Sequence, residues 1–180
     1  MKVLRIVLLA VIAMFLIAAC DSDKSTKSEK ENPADVLFIN EFLASNDNTN
    51  ADENGDYDDW IEIYNAGDED IDLGGYYVSD HLDEPLTYQI PTGNPNATTI
   101  KAGGFLIIWC DKEPEQGPLH AEIKLSGDGE DIIITAEDGI TVIDSYTFGP
   151  AVTGQSTGRK TDGGAEWVTF DTPTPGASNN

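Results

Sequence analysis

The sequence predicts an all-β fold, and within that class a β-sandwich. Short apolar runs recur at spacings near ten residues from residue 35 to the C-terminus. Turn signals fall between them, at Asp128-Gly129, Asp138-Gly139 and Asp162-Gly163-Gly164. No stretch after residue 34 keeps a helical apolar period over three turns. Many short strands with evenly spaced turns fit a sandwich.

The first element is an address rather than part of the fold. Residues 1–20 read MKVLRIVLLAVIAMFLIAAC, with Lys2 and Arg5 preceding 14 uninterrupted apolar residues, Ile6 to Ala19. A spanning helix needs about 20 apolar residues, whereas a signal-peptide core needs roughly 7–15, so residues 1–19 are expected to be a signal peptide. Its end, Ile17-Ala18-Ala19-Cys20, resembles the lipobox of bacterial lipoproteins. That resemblance implies a diacylglyceryl thioether on Cys20 and acylation of the new amino group. The protein would then sit on a membrane of the bacterial cell envelope, because more than one acyl chain anchors stably. Asp21 follows that cysteine and does not by itself choose a leaflet.

Residues 20–34 continue as the lipidated cysteine and a flexible tether. The segment DSDKSTKSEKENPA offers no apolar side chain larger than proline or alanine, too little to offset the entropy of ordering. Such a tether spans roughly 20 Å on average. From residue 35 to 180 the strand-like runs follow in order: Val36 to Phe42, Trp60 to Tyr64, Ile71 to Val78 across Gly74-Gly75, and Leu86 to Ile90. Then come Phe105 to Cys110, Ala121 to Leu125, Ile132 to Thr135, Ile140 to Phe148 and Trp167 to Phe170. Phe105 to Cys110 and Ile132 to Ile134 are continuously apolar, as in strands covered on both faces.

Charge excludes one class of partner. The 180 residues carry 33 acids and 10 Lys plus Arg, a formal net charge of −23. From residue 35 onward, 29 acids face five cations, a balance of −24, so the anionic character belongs to the folded domain. A phosphate-binding stripe cannot be assembled from so few cations, which argues against nucleic acid. A basic surface on another protein, or a cation, fits the sign better. Once Cys20 is lipidated Cys110 is the remaining thiol, so no intramolecular disulfide is expected. Its apolar run makes it a buried, inert cysteine.

Several segments together resemble the lamin-tail domain. They are Ile39-Asn40-Glu41-Phe42 with Ser45-Asn46, Asp59-Trp60-Ile61-Glu62-Ile63-Tyr64-Asn65, and Ile71-Asp72-Leu73-Gly74-Gly75-Tyr76 with Ser79-Asp80. Ala102-Gly103-Gly104-Phe105, Ser156-Thr157-Gly158-Arg159 and Pro173-Thr174-Pro175-Gly176-Ala177-Ser178-Asn179 complete the series. Their order and spacing run across residues 35–180. The resemblance implies an immunoglobulin-like β-sandwich acting as the module alone, with neither a filament-forming rod nor room for a catalytic domain.

The motif residues have structural work to do. Asp59 is suited to satisfying a backbone donor where the strand begins, and Trp60 to supplying core surface. Gly74 and Gly75 suit a bend, and Arg159 is expected to pair with a carboxylate and pin a loop. One segment suits ion chemistry: from Asp47 to Asp59, oxygen donors alternate at Asp52, Asn54, Asp56 and Asp58. On an extended loop these would point several oxygens inward, as calcium requires. The EF-hand pattern fits imperfectly, with Asn50 at the first position and Ile61 at the twelfth when Gly55 is the turn glycine. The other reading of the same residues is a solvated acidic loop shaped by Asx-turns.

No enzyme signature accompanies these features. His81 and His120 lie in polar sequence, and neither has a second His or Cys at metal-ligand spacing. There is no Gly-x-Ser-x-Gly elbow and no phosphate-cradling Gly-x-x-x-x-Gly-Lys. The expectation is a non-enzymatic envelope lipoprotein, held to the membrane through Cys20, whose domain binds a protein or glycan partner. The alternative is a calcium-stabilised accessory module that positions a separately encoded exported enzyme.

Overall fold

The computed structural model describes residues 31–180; the signal segment, Cys20 and the tether to residue 30 lie outside the described residues. The folded body begins earlier than the composition of the tether suggests. Asn32 caps a short helix α1 (Pro33–Val36), its side chain accepting from the Ala34 amide at 3.3 Å. Proline at the first helical position suits this start, since the missing N–H would have no partner there. Glu31 accepts from the Asp68 amide at 3.0 Å. Within residues 31–34, assigned by composition to the tether, Glu31 thus bonds to the domain and Ala34 packs against its core.

Among the described residues twelve strands follow. They are β1 (Leu37–Leu43), β2 (Trp60–Asn65), β3 (Ile71–Asp72), β4 (Tyr77–Ser79) and β5 (Tyr88–Gln89). After helix α2 (Pro95–Thr98) come β6 (Thr99–Ile100), β7 (Phe105–Cys110), β8 (His120–Ala121), β9 (Asp131–Thr135), β10 (Val142–Thr147), β11 (Ser156–Arg159) and β12 (Trp167–Phe170). One sheet runs β12-β11-β1-β2-β7-β8, the second β10-β9-β4-β5, and β3 pairs with β6. The expected run from Ile71 to Val78 divides at its glycines. The Leu73–Tyr76 turn, with Gly75 at φ +98° and the Gly74 amide on Asp72 Oδ1 at 2.9 Å, sends β3 and β4 into different sheets.

The two large sheets enclose one core. Leu37, Ile39, Phe42, Ile61, Ile63, Ile108 and Cys110 meet Val78, Tyr88, Ile132, Ile134 and Ile143 across it. Complete burial of a Leu or Ile side chain contributes about 1.5–3 kcal/mol, so this interface dominates stability. A bulge in β1 decides which residues reach it. The pairing with β2 shifts between Ile39 and Glu41, leaving Asn40 as the extra residue. Phe42 therefore joins Leu37 and Ile39 inside, whereas Glu41 sits opposite Glu62.

The outer face of the six-stranded sheet is covered too. Leu43, Trp60 and Trp109 form a separate buried cluster, with Trp60 directly opposite Trp109. Trp60 thus supplies fully buried surface as anticipated, but outside the inter-sheet core. Its indole Nε1 finds no partner among the described residues. Beside this cluster the C-terminal segment closes over Glu41 and Glu62. Thr174 donates its hydroxyl to Glu41 Oε2 at 2.6 Å, Ser156 donates to Glu41 Oε1, and the Gly176 amide donates to Glu62 Oε2 at 2.6 Å. Asn40 Nδ2 donates to Glu62 at 3.2 Å and to Asp162 at 3.1 Å. Asn179 Nδ2 returns to the carbonyls of Arg159 and Asn40.

β11 contains no large apolar residue, and periodicity did not mark it as a strand. Its place depends on Gly158: a Cβ there would lie 2.9 Å from the Asn40 carbonyl and 3.1 Å from Asn179. Next to it Arg159, 8% exposed, ties the sheets together. Its Nη2 pairs with Asp144 of β10 at 2.7 Å, and its Nε donates to the Ile39 carbonyl at 2.8 Å. The guanidinium also lies 4.9 Å from the Trp167 ring centre. The expected carboxylate partner of Arg159 is Asp144, and the loop it pins includes Gly164.

Candidate functional site

The loop between β1 and β2 is built by its own side chains. Asn46 Nδ2 donates to the Asp58 carbonyl at 2.8 Å and its Oδ1 accepts from the Thr49 amide at 2.9 Å. Asp59 Oδ1 accepts the Asn46 amide at 2.9 Å, the role expected of it where β2 begins. Asp52 Oδ1 gathers three backbone amides, from Asn54, Gly55 and Asp56, at 2.8–2.9 Å. Gly55, at φ +94°, lets the chain curl around that carboxylate. Burial works to raise the Asp52 pKa, but these hydrogen bonds outweigh it and hold the group below its ordinary value.

This curl changes which donors converge. The expected convergence of Asp52, Asn54, Asp56 and Asp58 supposes an extended loop, and the loop is curled around Asp52 instead. Asp56 is exposed and Asn54 turns its amide to Gln116 and Asp52. Among the described residues, neither Asp56 nor Asp58 joins Asp52 in a group of three converging side chains; Glu53 and His120 do. One ligand atom from each of these three lies within 4.8 Å of the others.

His120 reaches this place through the far end of the sheet. β8 lies parallel to β7, setting His120 beside Trp109, with ring centres 6.5 Å apart. The imidazole is 1% exposed. Its Nδ1 meets Asp111 Oδ2 at 2.5 Å and its Nε2 meets Glu53 Oε1 at 3.2 Å. Asp111, equally buried, is itself held by the Glu113 amide on Oδ1 at 2.8 Å. Desolvation works to lower the His120 pKa, but hydrogen bonds to Asp111 and then Glu53 overcome it and raise the value. Glu53, 63% exposed at its side chain, is the solvent side of the group. A small cleft of about 100 Å³, lined by Glu53, Ala97, Trp109, Pro118 and His120, opens beside it.

The surrounding potential is negative. Asp58 is pushed up by burial and then by the charges of Asp111, Asp52 and Asp56. Glu113 is raised by burial and then by Asp111 and Asp58. The sequence offered no pointer to His120, because its partners lie 9 and 67 residues away and share no motif with it. Elsewhere the inert-thiol reading of Cys110 fits its surroundings: the side chain is fully buried in the core, and burial raises its pKa well above the ordinary thiol value.

Two covered sheets, a bulged first strand and a C-terminal segment bound over buried carboxylates define an immunoglobulin-like β-sandwich module. The model of the lamin tail domain family matches residues 30–150, and the chain belongs to that family. It is a family of immunoglobulin-like structural and interaction modules rather than of enzymes. β11 and β12 lie past the matched residues, yet they complete the six-stranded sheet. No curated protein and no solved structure gives a significant match to the chain.

Proposed function

We propose that this protein is a lipid-anchored protein of the bacterial cell envelope whose lamin-tail domain is a non-enzymatic interaction or adhesion module. The observation that carries the reading is Ile17-Ala18-Ala19-Cys20 at the end of a signal-length apolar run, followed at once by polar residues. Acyl chains on Cys20 hold the protein at the membrane, and the tether keeps the sandwich within a few tens of ångströms of it. The partner, a protein or glycan, meets an acidic surface. Three of the domain's five cations, Lys101, Arg159 and Lys160, are already paired with Asp70, Asp144 and Glu166. An acidic cleft lined by Glu31, Glu69, Asp70, Asp72 and Glu137 adds to that field. A basic partner is favoured, and nucleic acid is repelled.

Metabolic labelling with an alkyne fatty acid tests the anchor. The wild-type protein takes up label and sediments with membranes, whereas Cys20→Ser does neither. Equal labelling of both, or recovery of unlabelled wild-type protein outside the membrane fraction, would overturn the proposal.

A further inference from the structure

We propose that His120, Glu53 and Asp52 form a binding site for one divalent ion of the zinc class, held by His120 Nε2 and a carboxylate oxygen from each acid. This proposal does not depend on the lipid anchor or on the partner. It begins with convergence: three side chains from two distant segments bring ligand atoms within 4.8 Å of one another. Ligands around one zinc ion, each about 2.0–2.2 Å from the metal, lie somewhat closer together than this. The exposed Glu53 side chain supplies the freedom for the remaining contraction.

Orientation is the independent observation. A metal-binding imidazole commonly gives its second ring nitrogen to a carboxylate, which fixes the tautomer and aims the free nitrogen. Asp111 occupies that position on His120 Nδ1, and both side chains are 1% exposed. Asp111 is in turn fixed by a backbone amide, so Nε2 is aimed at Glu53 by a chain of buried contacts. Asp52 is equally rigid, because three amides hold Oδ1, while Oδ2 has one longer contact, from Asn54 Nδ2 at 3.3 Å, that a metal ion would displace. A nitrogen donor with two carboxylates selects zinc-like ions over calcium, which prefers 6–8 oxygens. Three protein ligands leave a position for water on the Glu53 side.

The competing explanation is an ion pair of His120 with Asp111 and Glu53, complete without a metal. The two differ in what zinc does. The full chain carrying Cys20→Ser, so that no exposed thiol competes, is purified in detergent, stripped with chelator and titrated with zinc chloride by calorimetry. One equivalent is expected to bind, with Glu53→Gln and Asp52→Asn each weakening it at least tenfold and His120→Gln abolishing it. His120 is buried and its replacement can disturb folding, so the exposed Glu53→Gln carries the comparison. Copper(II) loaded into the stripped protein should show nitrogen hyperfine structure in its paramagnetic resonance spectrum, lost in His120→Gln. Absence of zinc binding at millimolar concentration would overturn the proposal. So would unchanged affinity in Glu53→Gln and Asp52→Asn, or calcium binding that zinc does not displace.

Discussion

Glu41 and Glu62 lie fully buried on adjacent strands, while Asp52 and Glu53 lie in the loop that leads into the second of them. The first pair is enclosed: Thr174 and Gly176 of the C-terminal segment, with Asn40 of β1, donate to both carboxylates. The second pair is only half enclosed. Asp52 is fixed by amides, but Glu53 stands in solvent facing a buried histidine. Carboxylates therefore serve two ends in one small domain. Where every oxygen has a donor from the chain, the acid is part of the architecture. Where oxygens and a ring nitrogen converge at the surface, the acid retains capacity for something outside the chain.

Substitutions at the two places should separate by size. Arg159→Ala is expected to have the largest effect, about 3 kcal/mol of lost stability in urea unfolding, because it strands Asp144 between the sheets. A loss below 1 kcal/mol would show that the sheets are held without this pair. Glu62 comes next, through pH. Burial pushes its pKa from 4.5 to about 8, against the hydrogen bonds from Gly176 and Asn40. The folded state then holds this proton more tightly than the unfolded chain does. Its contribution is full below pH 4.5 and is lost as pH rises through about 8, by at most about 1.4 kcal/mol per pH unit. Glu62→Gln should flatten that decline, although its NH2 group faces one of the two donors, Asn40 Nδ2 or the Gly176 amide, and lowers stability by a pH-independent amount. Parallel slopes for the two proteins in urea melts across this range would contradict the assignment.

Asp52→Ala should cost less, about 1–2 kcal/mol, since it frees three amides in a loop that water can reach. Smallest is Glu53→Gln, within about 0.5 kcal/mol of wild type when no metal is present, as expected for an exposed side chain. If Glu53→Gln cost as much as Arg159→Ala, the distinction between an architectural and an available carboxylate would fail.

Much of the sandwich was legible in the sequence. Phe105–Cys110 and Trp167–Phe170 are strands at their expected boundaries, and Asp59 and Arg159 make the kinds of contact their setting implied. What escaped was set by distant contacts. β11 has no apolar signature, because its burial follows from a glycine that admits neighbouring backbone and Asn179. The Asn40 bulge, which sends Glu41 outward and Phe42 inward, has no local signal either. At the candidate site, the acidic alternation singled out the β1–β2 loop but assumed an extended backbone. The hydrogen bonds to Asp52 curl the chain instead, and the nitrogen donor arrives from His120, 67 residues beyond Glu53.

The contrast between the two carboxylate groups is tested most directly by thermal melts with and without zinc. The proteins compared are the Cys20→Ser chain and that chain carrying Glu62→Gln or Glu53→Gln. A ligand that binds only the folded state raises the melting temperature, by an amount that grows with the logarithm of its concentration over Kd. Zinc should raise it in the parent and in Glu62→Gln, and leave Glu53→Gln nearly unmoved. An equal shift in all three, or none in the parent, would contradict the account.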